Sequence, residues 1–240
     1  MMSSEQAHEI ASRISASPWF IKNNFIRKKS FSIEYFCYRI LRPLLKLRYK
    51  IFKLFNPLSP WTSQASIQIF KKILNTEMKG FEYGSGNSTL FFAQRLQHLT
   101  SVEHNKEWHQ IVNKKLTQTG TSNIDYHLIP RHDRTEERFS FHSDFNLDDS
   151  SFSVRTEYSN YFSFIKKYPD QYFDFIIVDG RARVECCLNA IPKLKPGGIF
   201  VLDNSDRERY QPIFLVLSSW KQITTTTGLF DTTIWFKPSP

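Results

Sequence analysis

Phe81-Glu82-Tyr83-Gly84-Ser85-Gly86-Asn87-Ser88-Thr89 leads into Leu90-Phe91-Phe92-Ala93. An apolar and aromatic run, two glycines and a helix-forming run predict a strand, a tight turn and a helix. Glycine permits the positive φ such a turn needs and keeps a Cβ out of a ligand's path. The helix start offers unpaired N–H groups that can meet a polar ligand. Asn87 or Ser88 is expected to cap that helix. A Gly-x-Gly pair also occurs in ordinary turns, so the residues around it must decide its meaning.

A dinucleotide fingerprint wants a third glycine three residues after the second. Thr89 stands there, which counts against a nicotinamide cofactor. Residues 99–103 read as the next strand, ending in Glu103, an acid about 20 residues beyond Glu82. A carboxylate at that point can accept both hydroxyl protons of a ribose.

On these residues the chain resembles the class I S-adenosylmethionine-dependent methyltransferases. Their first motif, an acid followed by x-Gly-x-Gly, is matched by Glu82-Tyr83-Gly84-Ser85-Gly86, and their ribose-binding acid by Glu103. The resemblance covers roughly residues 60–240. It is nearest to a bacterial group carrying the segments seen here as Pro60-Trp61-Thr62, residues 82–89, Ser101-Val102-Glu103-His104, Val178-Asp179-Gly180-Arg181 and Leu202-Asp203-Asn204-Ser205. It implies an α/β, Rossmann-like doubly wound sheet of seven strands with the last antiparallel. It also implies S-adenosylmethionine as cofactor, contacted by Glu82, Tyr83, Gly84, Ser85, Gly86, Ser88, Thr89, Glu103 and His104. It does not name a methyl acceptor.

The 240 residues suit one α/β domain with an extension, and 15% aromatic content marks a globular chain. Cys37, Cys186 and Cys187 have no metal-binding spacing, and the polar start does not open a secretory signal. A reducing cytoplasm is therefore expected. The formal charge of +9 is unevenly placed: residues 1–60 hold eleven Lys or Arg against three Glu. We divide the chain into a basic helical extension, 1–60, and a cofactor-binding domain, 61–240.

Within the extension, 1–32 reads as weak helix and loop, with a basic knot at Arg27-Lys28-Lys29. In 33–55, Ile40, Leu44, Leu47, Ile51 and Leu54 recur at helical spacing opposite Arg42, Lys46, Lys50 and Lys53. Pro43 fits the first turn of that helix. Such a helix can pack on the domain with its basic face in water, lie on an anionic membrane surface, or meet nucleic acid. Nucleic acid is the least expected partner: basic and aromatic residues do not alternate as a base-stacking strip. Neither an Asn/Asp-Pro-Pro-Tyr motif nor a Pro-Cys pair is present.

Strands are read at 79–83, 99–103, 124–129, 173–180, 199–202, 221–227 and 232–237, with helices between them. Residues 130–153 hold Pro130, His132, Asp133, His142, Asp144, Asp148 and Asp149, and are too long for a plain connection; a lid or substrate loop is expected. His132 and His142 lack zinc spacing.

Glu82, Glu103, Asp179, Asp203, Asn204 and Asp206 fall at the carboxyl ends of strands, where open α/β sheets bind ligands. Two readings of this edge stand. Asp179, Asp203 and Asn204 resemble the set that holds a divalent metal in some O-methyltransferases, and hard oxygen ligands suit Mg²⁺. In the other, Asp179 accepts a substrate proton, with Asp203 beside it, while Arg181 or Arg183 binds an anionic group. The expected activity is methyl transfer to a hydroxyl or amine of a small molecule or glycan. The rivals are a nicotinamide-dependent oxidoreductase and a non-catalytic membrane- or nucleic-acid-associated protein of the same fold.

Overall fold

The structure, a computed structural model, describes residues 2–22, 27, 31–132, 141, 144–148 and 152–239. Lys28 and Lys29 of the basic knot, and Asp133, His142 and Asp149 of the long loop, lie outside the described residues.

Two N-terminal helices, α1 (Ser4–Ala16) and α2 (Ile33–Phe55), precede the sheet, and α3 (Gln64–Ile73) leads into it. The strands are β1 (Lys79–Tyr83), β2 (His98–Glu103), β3 (Ile124–Leu128), β4 (Phe173–Val178), β5 (Leu194–Asp203), β6 (Lys221–Thr226) and β7 (Asp231–Phe236). Their spatial order is β3-β2-β1-β4-β5-β7-β6, and β7 runs antiparallel to both of its neighbours. The crossover helices are α4 (Asn87–Ala93), α5 (Lys106–Gln118), α6 (Ser159–Ser163), α7 (Arg183–Ala190) and α8 (Gln211–Val216). The expected seven-stranded Rossmann-like sheet is present, with its N-terminal helices.

The sheet is buried on both faces, so its central strands are apolar throughout. Side chains alternate across the pleat. Ile176, Val178, Phe200 and Leu202 join one core with Phe81, Tyr83 and Trp235, while Phe175, Ile177, Ile199 and Val201 join the other with Phe70 and Phe92. The order of strands reverses between β1 and β4, the switch point where such sheets leave a crevice at their carboxyl ends.

Four local expectations need correction. Residues 1–32 hold more than weak helix: Ser3 and Gln6 close a capping box on α1, whose Ala7 and Ala11 enter the core with Ile67 and Phe70. Pro43 lies inside α2, not in its first turn. It sits on an exposed side of the helix, where the carbonyl its ring leaves unpaired can meet water. The apolar row of α2 faces solvent; a different row, Tyr38, Leu45, Tyr49 and Phe52, turns inward. Lastly, β5 begins at Leu194 and takes in Lys195-Pro196-Gly197-Gly198. A register shift against β4 and a positive φ at Gly197 accommodate the proline, and Lys237 pairs with both glycines.

Candidate active site

The loop after β1 is built by close approach of two backbones. Asp179 donates its N–H to the Tyr83 carbonyl, and Gly84 donates to that of Val102. Gly84 has φ +89°, and a Cβ there would stand 2.6 Å from the Gly180 backbone. A Cβ at Gly180 would in turn strike the Tyr161 hydroxyl. Gly86, not Asn87 or Ser88, is the N-cap of α4. Its N–H donates to Thr89 Oγ1 at 2.9 Å, and Thr89 donates onward to Glu82 Oε2 at 2.6 Å. A hydroxyl reaching back from the first turn replaces the usual side-chain cap.

Glu82 is fully buried, and Ser101 also donates to its Oε2. Its other oxygen, Oε1, has no hydrogen-bond partner among the described residues. Burial pushes its pKa up to about 7, although the hydroxyls of Ser101 and Thr89 oppose that shift. A carboxyl whose folded pKa exceeds its unfolded value of 4.5 stabilises the fold when protonated. That stability is present below about pH 4.5 and is lost as pH rises to about 7. The Glu82 contribution to stability should therefore fall by roughly 3 kcal/mol across that window, read as a falling melting temperature of the ligand-free protein. In Glu82→Gln this component should flatten; an unchanged pH profile would show that Glu82 does not carry it.

Glu103 ends β2 and accepts from Ser85 N–H and Oγ through Oε2, and from His104 and Asn105 N–H through Oε1. Burial would raise its pKa, but His104 and the N–H groups of Asn105 and Ser85 outweigh it and hold the carboxyl below its ordinary value. Glu103 is thus an anion throughout the neutral range.

At the ends of β4 and β5, Asp179, Asp203 and Asn204 do come together, but around a guanidinium. Arg183, 8% exposed, donates to the carbonyls of Gly180, Asp179 and Asp203, to Asp179 Oδ1 at 2.8 Å, and to Asn204 Oδ1 at 3.4 Å. Its Nη1 lies 3.9 Å from Asp203 Oδ2. The residues therefore do not fit Mg²⁺: the place between the carboxylates already holds a cation, and Asn204 turns its amide nitrogen to Asp203 Oδ2. Among the described residues, no group of three His, Cys, Asp or Glu could hold a metal. Arg183 also lies on the cavity lining, but its donors are already taken up by these carbonyls and by Asp179. Burial and the neighbouring Asp179 push the Asp203 carboxyl well above its ordinary range. Burial also raises Asp179, against the pull of Arg183.

These elements border one cavity of about 650 Å³. Gly84, Ser85, Glu103, His104, Asp179 and Arg181 line it. Glu82, Tyr83, Gly86, Ser88, Thr89, Asp203 and Asn204 do not. Tyr83, for example, is fully buried and donates to the Phe162 carbonyl. Asp206 accepts from Asp231 N–H in a turn. The sequence reading missed Trp108, Arg207 and Arg209, all on the lining. Trp108 donates Nε1 to the Ser85 carbonyl at 2.7 Å. Its signal was available: Asn105 caps α5, so a residue in the first turn points back at the loop. Phe152 and Ser153, at the end of the long loop, and Arg155 just after it complete one wall.

A family model described as a methyltransferase domain matches residues 81–205. The chain belongs to the class I S-adenosylmethionine-dependent methyltransferases. Among curated proteins none matches it. Solved structures with a similar fold include a methyltransferase-like protein of Silicibacter pomeroyi, at 20% identity over 68% of this chain and 80% of that one, TM-score 0.45. A Streptococcus mutans protein in complex with SAH has 12% identity over 70% and 93%, TM-score 0.47. An rRNA methylase of Streptococcus thermophilus has 12% identity over 70% and 91%, TM-score 0.48. What those proteins act on does not pass to this methyltransferase.

Proposed function

We propose that the protein transfers a methyl group from S-adenosylmethionine to a hydroxyl or amine of a small molecule or glycan that carries a negative charge. The observation behind this reading is that a glycine loop, an ionised Glu103 and three exposed arginines, Arg181, Arg207 and Arg209, line the same cavity as Asp179. The cofactor, when bound, supplies an electrophilic methyl on a sulfonium. The residues then have to align donor and acceptor and keep water out.

Glu103 is the ribose acceptor, with the Gly84–Ser85 backbone bordering the amino-acid part. Asp179 accepts the proton of the attacking group. Its Oδ1 is fixed by Arg183, and its side chain stays 28% exposed toward the cavity. Asp203 acts from behind, holding Arg183 in place while accepting from Thr232 Oγ1 at 2.7 Å. Arg207 is held by Asn204 Oδ1 at 2.9 Å and Arg209 by the Tyr210 hydroxyl at 2.9 Å, so both heads are positioned before an anion arrives. A guanidinium binds carboxylate or phosphate oxygens in pairs.

The test is transfer of labelled methyl groups to a panel of neutral, carboxylated and phosphorylated sugars and small molecules. Transfer should be confined to anionic acceptors. Arg181→Gln combined with Arg207→Gln should raise the acceptor KM about tenfold or more, with a smaller change in kcat. Preference for neutral acceptors, or an unmoved KM, would remove the anion site from this account.

A further inference from the structure

Helix α2 has three faces, and the usual amphipathic pattern explains two of them. Its inward row meets the body through Tyr38, Leu45, Tyr49 and Phe52, with Tyr49 edge-on to Phe230 at 5.4 Å. A second row, Arg39, Arg42, Lys46, Lys50 and Lys53, is basic. The third row is apolar and faces solvent: Phe36 is 66% exposed, Ile40 64%, Leu44 63% and Leu54 75%, with Leu47 and Ile51 between them. A soluble surface scatters such residues singly; a row running most of the length of a 23-residue helix marks a contact surface.

We propose that this face lies on an anionic membrane surface. Four observations favour a lipid occupant. The helix carries six basic residues and one acid, Glu34, and the cations flank the apolar row. A second copy of the chain laid against the same face would bring like-charged rows together, which opposes pairing. Exposed aromatics, Phe31, Phe55 and Trp61, stand near the ends of the row, where a headgroup boundary accommodates them. No helix among the described residues is long and apolar enough to cross a membrane, so α2 would lie in the interface plane.

The placement also ties the membrane to the cavity. Lys53 Nζ sits 4.5 Å above the Trp61 ring, whose centroid is 6.1 Å from that of Trp108 on the cavity lining. Docking through α2 would hold the cavity lining near the headgroups, where an anionic, membrane-held acceptor would be concentrated. The docking itself stands apart from the methyltransferase reading, because it rests on residues that do not line the cavity.

The test uses the full chain, since removing the N-terminal residues would also strip Ala7 and Ala11 from the core. The protein is sedimented with vesicles of phosphatidylcholine and with vesicles containing roughly one-third phosphatidylglycerol, at low and high salt. Binding should need the anionic lipid, weaken with salt, and fall about tenfold or more in Leu44→Gln/Leu47→Gln/Ile51→Gln and in Lys46→Glu/Lys50→Glu. These positions are exposed, so melting and S-adenosylhomocysteine affinity should match those of the parent and show that the fold is intact. Absence of binding by the parent chain overturns the proposal. So does a lipid-free dimer dissolved by the triple variant, which would assign the face to a second copy. Equal binding to both vesicle types would also contradict it.

Discussion

Arg183→Met is expected to destabilise the fold by about 3–5 kcal/mol near pH 8, because it leaves the buried Asp203 and the partly buried Asp179 without their cation. The substitution roughly keeps the volume while removing donors to three backbone carbonyls and to Asp179. Asp179 and Asp203 would then have folded pKa values further above those of the unfolded chain. Stability must fall as pH rises through that interval, so the gap between variant and parent should narrow toward pH 5. For a chain of this size the difference corresponds to about 10 °C in melting temperature. Melting curves at both pH values, with and without Mg²⁺, check it. An unchanged melting temperature in the variant, or a rise in the parent on adding Mg²⁺, would restore the metal reading of these residues.

Glu103→Ala should weaken S-adenosylhomocysteine binding about tenfold or more. Two effects act in the same direction. In the proposed cofactor site a charged acceptor for the ribose hydroxyls is lost, worth roughly 1.5–3 kcal/mol per hydrogen bond to a charged group. The N–H groups of Ser85, His104 and Asn105 also lose the anion that organises the loop. A companion variant separates these effects: Tyr126→Phe removes a hydroxyl 2.6 Å from Ser85 Oγ and leaves the carboxylate in place. It should bind nearly as the parent does. Equal losses in both variants would mean that Glu103 acts through the loop alone.

The parts of this molecule that a sequence displays are those governed by local rules. Residues 173–180 read as a central strand, of which 173–178 form β4, because burial on both faces leaves no polar alternation. The turn at Gly84 was legible because a positive φ beside a second chain segment admits glycine and little else. Cavity residues were harder, since a carboxylate at a strand end looks the same whether it faces a ligand or a neighbour. Glu82 and Asp203 share that position with Glu103 and Asp179, yet they turn inward to Thr89 and Ser101 and to Thr232. Arg183 stands in the sequence as an alternative to Arg181 for an anionic group, because its true partners, at Asp179 and Asp203, converge from two strand ends far apart in the chain. Arg207 and Arg209 reach the cavity from what read as a plain helix; the chain there holds a turn before α8. For α2 the 3.6-residue period was visible, but the period does not say which of two apolar rows is covered.

The most direct test of the cofactor site is calorimetric titration of the parent chain and Glu103→Ala with S-adenosylhomocysteine, and separately with NAD. A ribose site at Glu103 requires micromolar binding of S-adenosylhomocysteine by the parent, independent of Mg²⁺, a loss of tenfold or more in the variant, and no uptake of NAD. Failure of the parent to bind S-adenosylhomocysteine, or an affinity unchanged by removal of Glu103, would contradict it.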